Sequence, residues 1–196
     1  MSKQELMAEI AKEIAECKKC ELWKSRKNVV PGEGNVDADV MFIGEAPGYW
    51  EDVKGRPFVG AAGKLLDKLL ENIGLSRNEV FIGNILKCRP PQNRDPRPDE
   101  IEACTPYLDR QIRVIQPKIM VTLGRHSTAY IFNKVGLKFY GISKLHGRIY
   151  EVTVLDLPVV LIPMYHPAVA LYNARLKDDL KMDFEVLRNV LSERVF

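Results

Sequence analysis

The sequence predicts an α/β protein, a three-layer α/β/α sandwich around a central, mainly parallel, four-stranded sheet. Three observations carry that expectation. Four short runs, residues 39–44, 79–84, 118–124 and 158–164, are near-continuously apolar and rich in β-branched residues, the pattern of strands covered on both faces. Segments with apolar residues at a 3.6-residue period lie between them. The two patterns alternate along the chain, as strands laid side by side with helical crossovers do.

The chain opens on a helix. Ser2 and Glu5 have capping-box spacing, and Leu6, Ile10 and Ile14 recur every fourth residue, so an amphipathic helix runs to about Cys17. The first strand, 39–44, ends in the turn Gly44-Glu45-Ala46-Pro47-Gly48. A helix follows over 64–70, with Lys64 on its solvated face, and the second strand, 79–84, ends at Gly83-Asn84. The proline-rich stretch 89–98 (RPPQNRDPRP) is a loop. It leads into a helix over 97–116 that opens on Pro98-Asp99-Glu100, a proline and two acids suited to a first turn. The third strand, 118–124, passes through Gly124-Arg125-His126-Ser127 into a short helix over 126–132, where His126 reads as a packing or capping residue. A hairpin around 147–154 (GRIYEVTV) precedes the last strand, 158–164. A helix over 173–195 closes the chain, with Leu176, Leu180, Phe184, Leu187 and Leu191 on one face. With no repeat or low-complexity tract, residues 1–196 read as a single domain.

Composition is that of an ordinary globular protein, 46% hydrophobic and 28% charged, with a formal charge of +3. So mild a basic balance permits a polyanionic partner without requiring one. No stretch approaches a membrane span and the first residues lack the apolar core of a signal peptide, so a soluble, intracellular, monomeric protein is expected.

A reducing compartment disfavours disulfides, so Cys17-x-x-Cys20 reads as half of a metal site that Cys88 and Cys104 complete. Four thiolates suit zinc or an iron–sulfur cluster. The wide spacing of the second pair favours the cluster over zinc, which usually takes two tight pairs. Four unrelated core thiols are the bland alternative.

Ligands of open α/β sheets bind beyond the carboxyl ends of the strands. Each end here carries a polar motif, and together they offer a carboxylate (Glu45), a carboxamide (Asn84), an imidazole (His166) and a nearby ring (Phe58). A carboxamide pairs with a base edge showing one donor and one acceptor, as uracil does at N3–H and O4. A ring supplies a stacking face, and an imidazole across the base stabilises negative charge at O2. A carboxylate positions water or stabilises a sugar cation. The set fits cleavage of an N-glycosidic bond, in which the base leaves as an anion.

Those motifs (GEAPG after the first strand, GNILKCRPP after the second, HPAVAL after the last) and the cysteine pattern resemble the family-four uracil-DNA glycosylases of thermophilic archaea and bacteria. The resemblance spans nearly the whole chain. It implies a three-layer fold, removal of uracil from DNA, and a [4Fe-4S] cluster on Cys17, Cys20, Cys88 and Cys104. It places uracil against the backbone of Gly44, Glu45 and Ala46, stacked on Phe58, read by Asn84 and contacted by His166, with Glu45, Asn84 and His166 catalytic. The better-known uracil glycosylases carry a water-activating Asp where this chain has Ala46, so Glu45 is the nearest base and Asp52 the runner-up. Glu51 is placed to exclude the thymine methyl, by analogy with a bulky residue in those relatives.

A base inside a duplex has to be flipped out and its gap braced. The residues after His166 suit that task, with Leu171 or Tyr172 as the wedge, Tyr172 the better, and Arg175 on phosphate. The alternative is that Leu171 is the first core residue of the last helix. Arg89, Arg94 and Arg97, with Lys18, Lys19, Lys24, Arg26 and Lys27, make a DNA-facing surface that the metal would order. Two rival readings remain: a metal-cluster nucleic-acid-binding or electron-transfer module that releases no base, and a glycosylase of broader deaminated-base range.

Overall fold

The computed structural model describes residues 1–194. In chain order its helices and strands are α1 (Lys3–Ala15), β1 (Glu33–Gly34), β2 (Val40–Gly44), α2 (Tyr49–Lys54), α3 (Ala61–Asn72), β3 (Phe81–Asn84), α4 (Pro98–Ile115), β4 (Ile119–Leu123), α5 (Arg125–Lys134), α6 (Ile142–Leu145), β5 (Tyr150–Val154), β6 (Leu157–Met164), α7 (Pro167–Ala170) and α8 (Ala174–Glu193). The Ser2–Glu5 capping box is formed.

Side chains of the central strands point alternately to two faces, and both are apolar. Val40 and Phe42 of β2, Ile82 of β3, Val121 of β4 and Ile162 of β6 pack on one side against Leu66, Leu69 and Leu70 of α3 and Leu180, Phe184 and Leu187 of α8. Met41, Ile43, Phe81, Met120 and Leu161 pack on the other against Leu108, Ile112 and Ile115 of α4 and Ile131 and Phe132 of α5. The near-continuous apolar runs are therefore a direct consequence of helical cover on both faces.

The sheet has six strands in the order β1-β3-β2-β4-β6-β5, not the expected four. The four predicted runs form its parallel centre, and each edge adds an antiparallel strand. β1 is two residues long, too short to leave a pattern. β5 alternates between partly buried and exposed positions, as an edge strand does, and forms the anticipated hairpin with β6. Its two-residue turn, Leu155-Asp156, has both φ angles positive (50° and 67°) without the glycine that usually marks such turns. Helices α2, α6 and α7, of four to six residues, are too short to show a period. The predicted end of the last helix at Val195 lies outside the described residues.

From β2 the chain moves first to β3 on one side and later to β4 on the other. The loops leaving the ends of these strands therefore diverge around a crevice, where open α/β sheets bind ligands. Among the described residues no helix is long and apolar enough to cross a membrane.

Candidate active site

Backbone bonds carry the β2–β3 pairing beyond the strands. The amides of Ile85 and Leu86 donate to the carbonyls of Gly44 and Glu45 at 3.0 and 3.1 Å. This holds the end of β2 against Asn84. A Cβ on Gly44 would lie 2.4 Å from Asn84 Oδ1 and 2.8 Å from Phe58 Cζ, so only glycine allows the carboxamide and the phenyl ring to meet there. Ala46, Glu51, Phe58, Ala62, Gly63, Asn84 and His166 line a small cleft. The structure thus brings together Gly44, Ala46, Phe58, Asn84 and His166 from four separate stretches of chain. Asn84 is 2% exposed. Its Oδ1 and His126 Nε2 are, among the described residues, the two buried side-chain polar atoms with no hydrogen-bond partner. A buried acceptor left open is costly unless a ligand fills it.

Phe58 is held in a strained backbone. Its φ is +50°, a region that bulky residues rarely enter. The Arg77 guanidinium clamps the turn, donating to the carbonyls of Phe58 (2.9 Å) and Pro57 (2.7 Å), and is itself held by Glu33 (2.7 Å) and Asp67 (3.1 Å). Gly63 gives the turn room, because a Cβ there would come within 1.9 Å of the Phe58 carbonyl oxygen. No feature of the local sequence announced Arg77 or Gly63 as part of the site. The nearest cue is the Gly60-x-x-Gly63 spacing at the start of α3.

His166 caps α7, and its Nδ1 accepts the Ala168 amide hydrogen at 3.0 Å. The ring proton therefore sits on Nε2, which is left as a donor. Desolvation pushes the imidazole pKa down to about 4, partly opposed by Glu51. The ring stacks on Phe58 with centroids 5.4 Å apart and planes at 24°. Two stacking distances of about 3.5 Å each need about 7 Å, so a planar ligand cannot enter between the rings without parting them. Gly124, at φ +94°, passes close behind, since a Cβ there would meet His166 Cβ at 3.0 Å. Since the native pKa lies below the unfolded value, the neutral imidazole contributes stability above about pH 6.5, and that contribution is lost as pH falls through about 4. Unfolding free energies of wild type and His166→Gln measured across this range should therefore converge on acidification. A constant difference would refute the assignment.

The acids of this edge divide into two kinds. Glu45 is half-buried, and its ligand oxygen, an Asp95 oxygen and a His126 nitrogen lie within 4.8 Å of one another. Burial holds the Glu45 carboxyl above its ordinary pKa, with the charge of His126 opposing. Asp95 also meets Arg125 at 2.6 Å and His126 Nε2 at 3.7 Å. His126, on the first turn of α5, thus lies beside Glu45 and Asp95. Glu51 is structural: it accepts from the Gly48 amide at 3.0 Å and the Val59 and Gly60 amides at 2.9 and 2.8 Å, tying the β2 turn to the Phe58 loop while lining the cleft. Asp52, the runner-up base, is buried and accepts from the Lys27 and Asn28 amides, so its carboxylate is committed outside the cleft.

A wider groove, sharing Ala46, Glu51, Ala62 and His166 with the cleft, is lined further by Glu45, Pro90, Asn93, Arg94, Ala168 and Val169 among others. Beyond it α7 ends at Leu171, which is half-buried, and Tyr172 is 96% exposed. Asn173 caps α8, accepting from the Leu176 amide at 3.1 Å, so that helix starts after Leu171 and its first packed residue is Leu176. The reading of Leu171 as that helix's first core residue is thereby set aside. Arg175 is exposed in the first turn.

Cys17, Cys20, Cys88 and Cys104 line one cavity, with Arg26, Lys87 and Tyr107. Among the described residues no three of these thiol sulfurs lie within 4.8 Å of one another. The Arg26 guanidinium reaches Cys88 Sγ at 3.4 Å and the Cys17 carbonyl at 2.9 Å. The Lys87 amide donates to Cys104 Sγ at 3.2 Å. Burial pushes the Cys104 thiol up to about 12, a state that a bound cation reverses. Of the cations expected to face a polyanion, Arg26 belongs to this cavity, Lys18 and Lys19 lie over the rings of Trp23 and Tyr107, and Arg94, which lines the groove, forks onto buried Glu100 at 2.8 Å.

Residues 31–188 match the family model described as the uracil DNA glycosylase superfamily. A type-4 uracil-DNA glycosylase of Saccharolobus solfataricus is 54% identical over 94% of this chain and 86% of its own length. Those of Archaeoglobus fulgidus (47% identical; 97% and 96% covered) and Thermotoga maritima (44%; 88% and 86%) are similar over comparable spans. With a family match over most of its residues and relatives aligned nearly end to end, the chain belongs to the uracil DNA glycosylase superfamily, in its type-4 branch.

Proposed function

We propose that the protein is a uracil-DNA glycosylase of base excision repair, which takes uracil arising from cytosine deamination out of single- or double-stranded DNA and hydrolyses its N-glycosidic bond. The observation that carries this reading is the unpartnered Oδ1 of buried Asn84, set beside Phe58 and a neutral His166. In it Asn84 Oδ1 accepts from uracil N3–H while its amide donates to O4, a pairing that cytosine reverses. Phe58 supplies the stacking face. His166 Nε2–H donates to O2, where charge gathers as the C1′–N1 bond breaks and uracil leaves as an anion. Water then adds to C1′ and its proton passes to Glu45, whose burial-raised pKa makes it the better base. Glu51 narrows the cleft toward the thymine methyl.

The enzyme acts as one domain over residues 1–196, a soluble, intracellular monomer that leaves an abasic site without cutting the strand. Tyr172, aided by Leu171, enters the stack vacated by the flipped nucleotide, and Arg175 holds phosphate. Zn–S bonds of about 2.3 Å set tetrahedral sulfurs about 3.8 Å apart. The convergence of all four cysteines on one cavity, with no three sulfurs as close together as a single zinc ion would draw them, supports a [4Fe-4S] cluster held by Cys17, Cys20, Cys88 and Cys104. Its contribution is to tie the N-terminal segment to the 88–104 loop.

Matched oligonucleotides bearing uracil, thymine or hypoxanthine test the reading. Uracil alone should yield an alkali-labile site, and borohydride should trap no adduct. Binding without base release would overturn it, and equal release of hypoxanthine would broaden it. Gly63→Ala should destabilise the fold by about 1–3 kcal/mol, an overpacking cost, and should also depress uracil release by moving Phe58. Thermal unfolding and single-turnover rates together check both effects.

A further inference from the structure

The edge of the groove beside Gly48 carries an aromatic pair. Tyr49 and Trp50 are 47% and 53% exposed and follow directly on Gly48, which lines the groove. Their rings meet edge to face, with centroids 5.0 Å apart. The Lys27 ammonium and the Arg89 guanidinium each lie over the Tyr49 ring at 5.4 Å. Arg89 is fixed by Asn93 Oδ1 at 2.7 Å and precedes Pro90, and both Pro90 and Asn93 line the groove. The sequence reads Tyr-Trp-Glu-Asp, yet both acids turn inward onto backbone amides. The rim therefore shows solvent two rings and two cations.

We propose that Tyr49 and Trp50 form a stacking platform for a nucleotide adjoining the flipped one on the same strand, with Lys27 and Arg89 on its phosphate. The inference rests on the glycosylase reading above. Exposed rings flanked by cations are what a single strand offers its bases and phosphates to; protein interfaces also use Tyr, Trp and Arg, and the place of these rings directly after Gly48 on the groove edge is what favours the DNA strand here. The strand that gives up its base must cross the groove's edge, and this edge bears the matching charge.

The test uses the holoprotein and a single-stranded oligonucleotide with one uracil, whose neighbours on each side are replaced in turn by an abasic spacer. A spacer on one side should raise the wild-type KM roughly tenfold, the scale of one lost base–aromatic stack. Tyr49→Ala/Trp50→Ala should show the raised KM on the intact oligonucleotide, with no further penalty from the spacer. Tyr140→Ala, an exposed tyrosine outside the groove lining, should leave KM at the wild-type value. A wild-type KM in the double variant, or a spacer penalty that persists in it, overturns the proposal. If wild type releases no uracil, the glycosylase reading fails. The Kd of wild type and double variant for the same strand, read by anisotropy, still decides the platform: a tenfold gap sustains it and equal values refute it.

Discussion

Asn84→Ala is expected to lower kcat/KM for uracil release by roughly 10²–10³-fold, the scale of removing one donor aimed at developing charge, while leaving thermal stability nearly unchanged. The two halves of this expectation share a cause. Asn84 is buried with an open acceptor, so the folded protein without substrate already bears the cost of an unmade hydrogen bond. Truncation removes that cost along with the side chain, and a small cavity partly offsets the gain. The bound base, by contrast, loses both its partners, and uracil O4 and N3–H are left facing apolar surface. Asn84→Asp tests the same point with shape conserved, because a carboxylate offers no hydrogen to O4 and repels a departing anion. It should be as slow as the alanine variant or slower. Either variant acting at the wild-type rate would remove Asn84 from base recognition.

Cys88→Ala should bleach the brown colour of the purified protein and lower stability by about 4 kcal/mol, which at this chain length is a fall in Tm of roughly 8–16 °C. The four cysteines come from the segment after α1, the loop after β3 and the first turns of α4. A metal group held by all four would fix the 88–104 loop, and with it Asn93, Arg94 and Asp95 beside the groove. Activity should therefore fall through weaker binding of DNA, while any uracil bound is still released. Visible absorption, metal content and melting temperature check the three parts separately. A colourless wild-type protein carrying one zinc would replace the cluster by an ion, and one with no metal would return the thiols to the core.

Much of the site can be read from the chain because its parts sit at strand ends. Glycine after an apolar run is visible in the sequence, and so is the residue that follows it. Gly44-Glu45, Gly83-Asn84 and Pro163-Met164-Tyr165-His166 mark three edges of the cleft before any coordinates exist. Phe58 is less visible, since the residue itself gives no sign of its positive φ. What holds it there, Arg77 and Gly63, lies 19 and 5 positions away. Asp52 shows the opposite error, a carboxylate close in sequence to the site whose hydrogen bonds take it elsewhere.

By itself the sequence determined the parallel centre of the sheet, the helices that cover it and the residue types collected at its carboxyl edge, because burial on two faces and helical period are local, repeating constraints. Tertiary structure alone decided the two-residue edge strand β1, the proton on Nε2 of His166, the inward turn of Glu51 and Asp52, and the exposure of Tyr49 and Trp50. Each depends on hydrogen bonds or cover supplied by residues distant along the chain, and no local pattern records which partner will arrive.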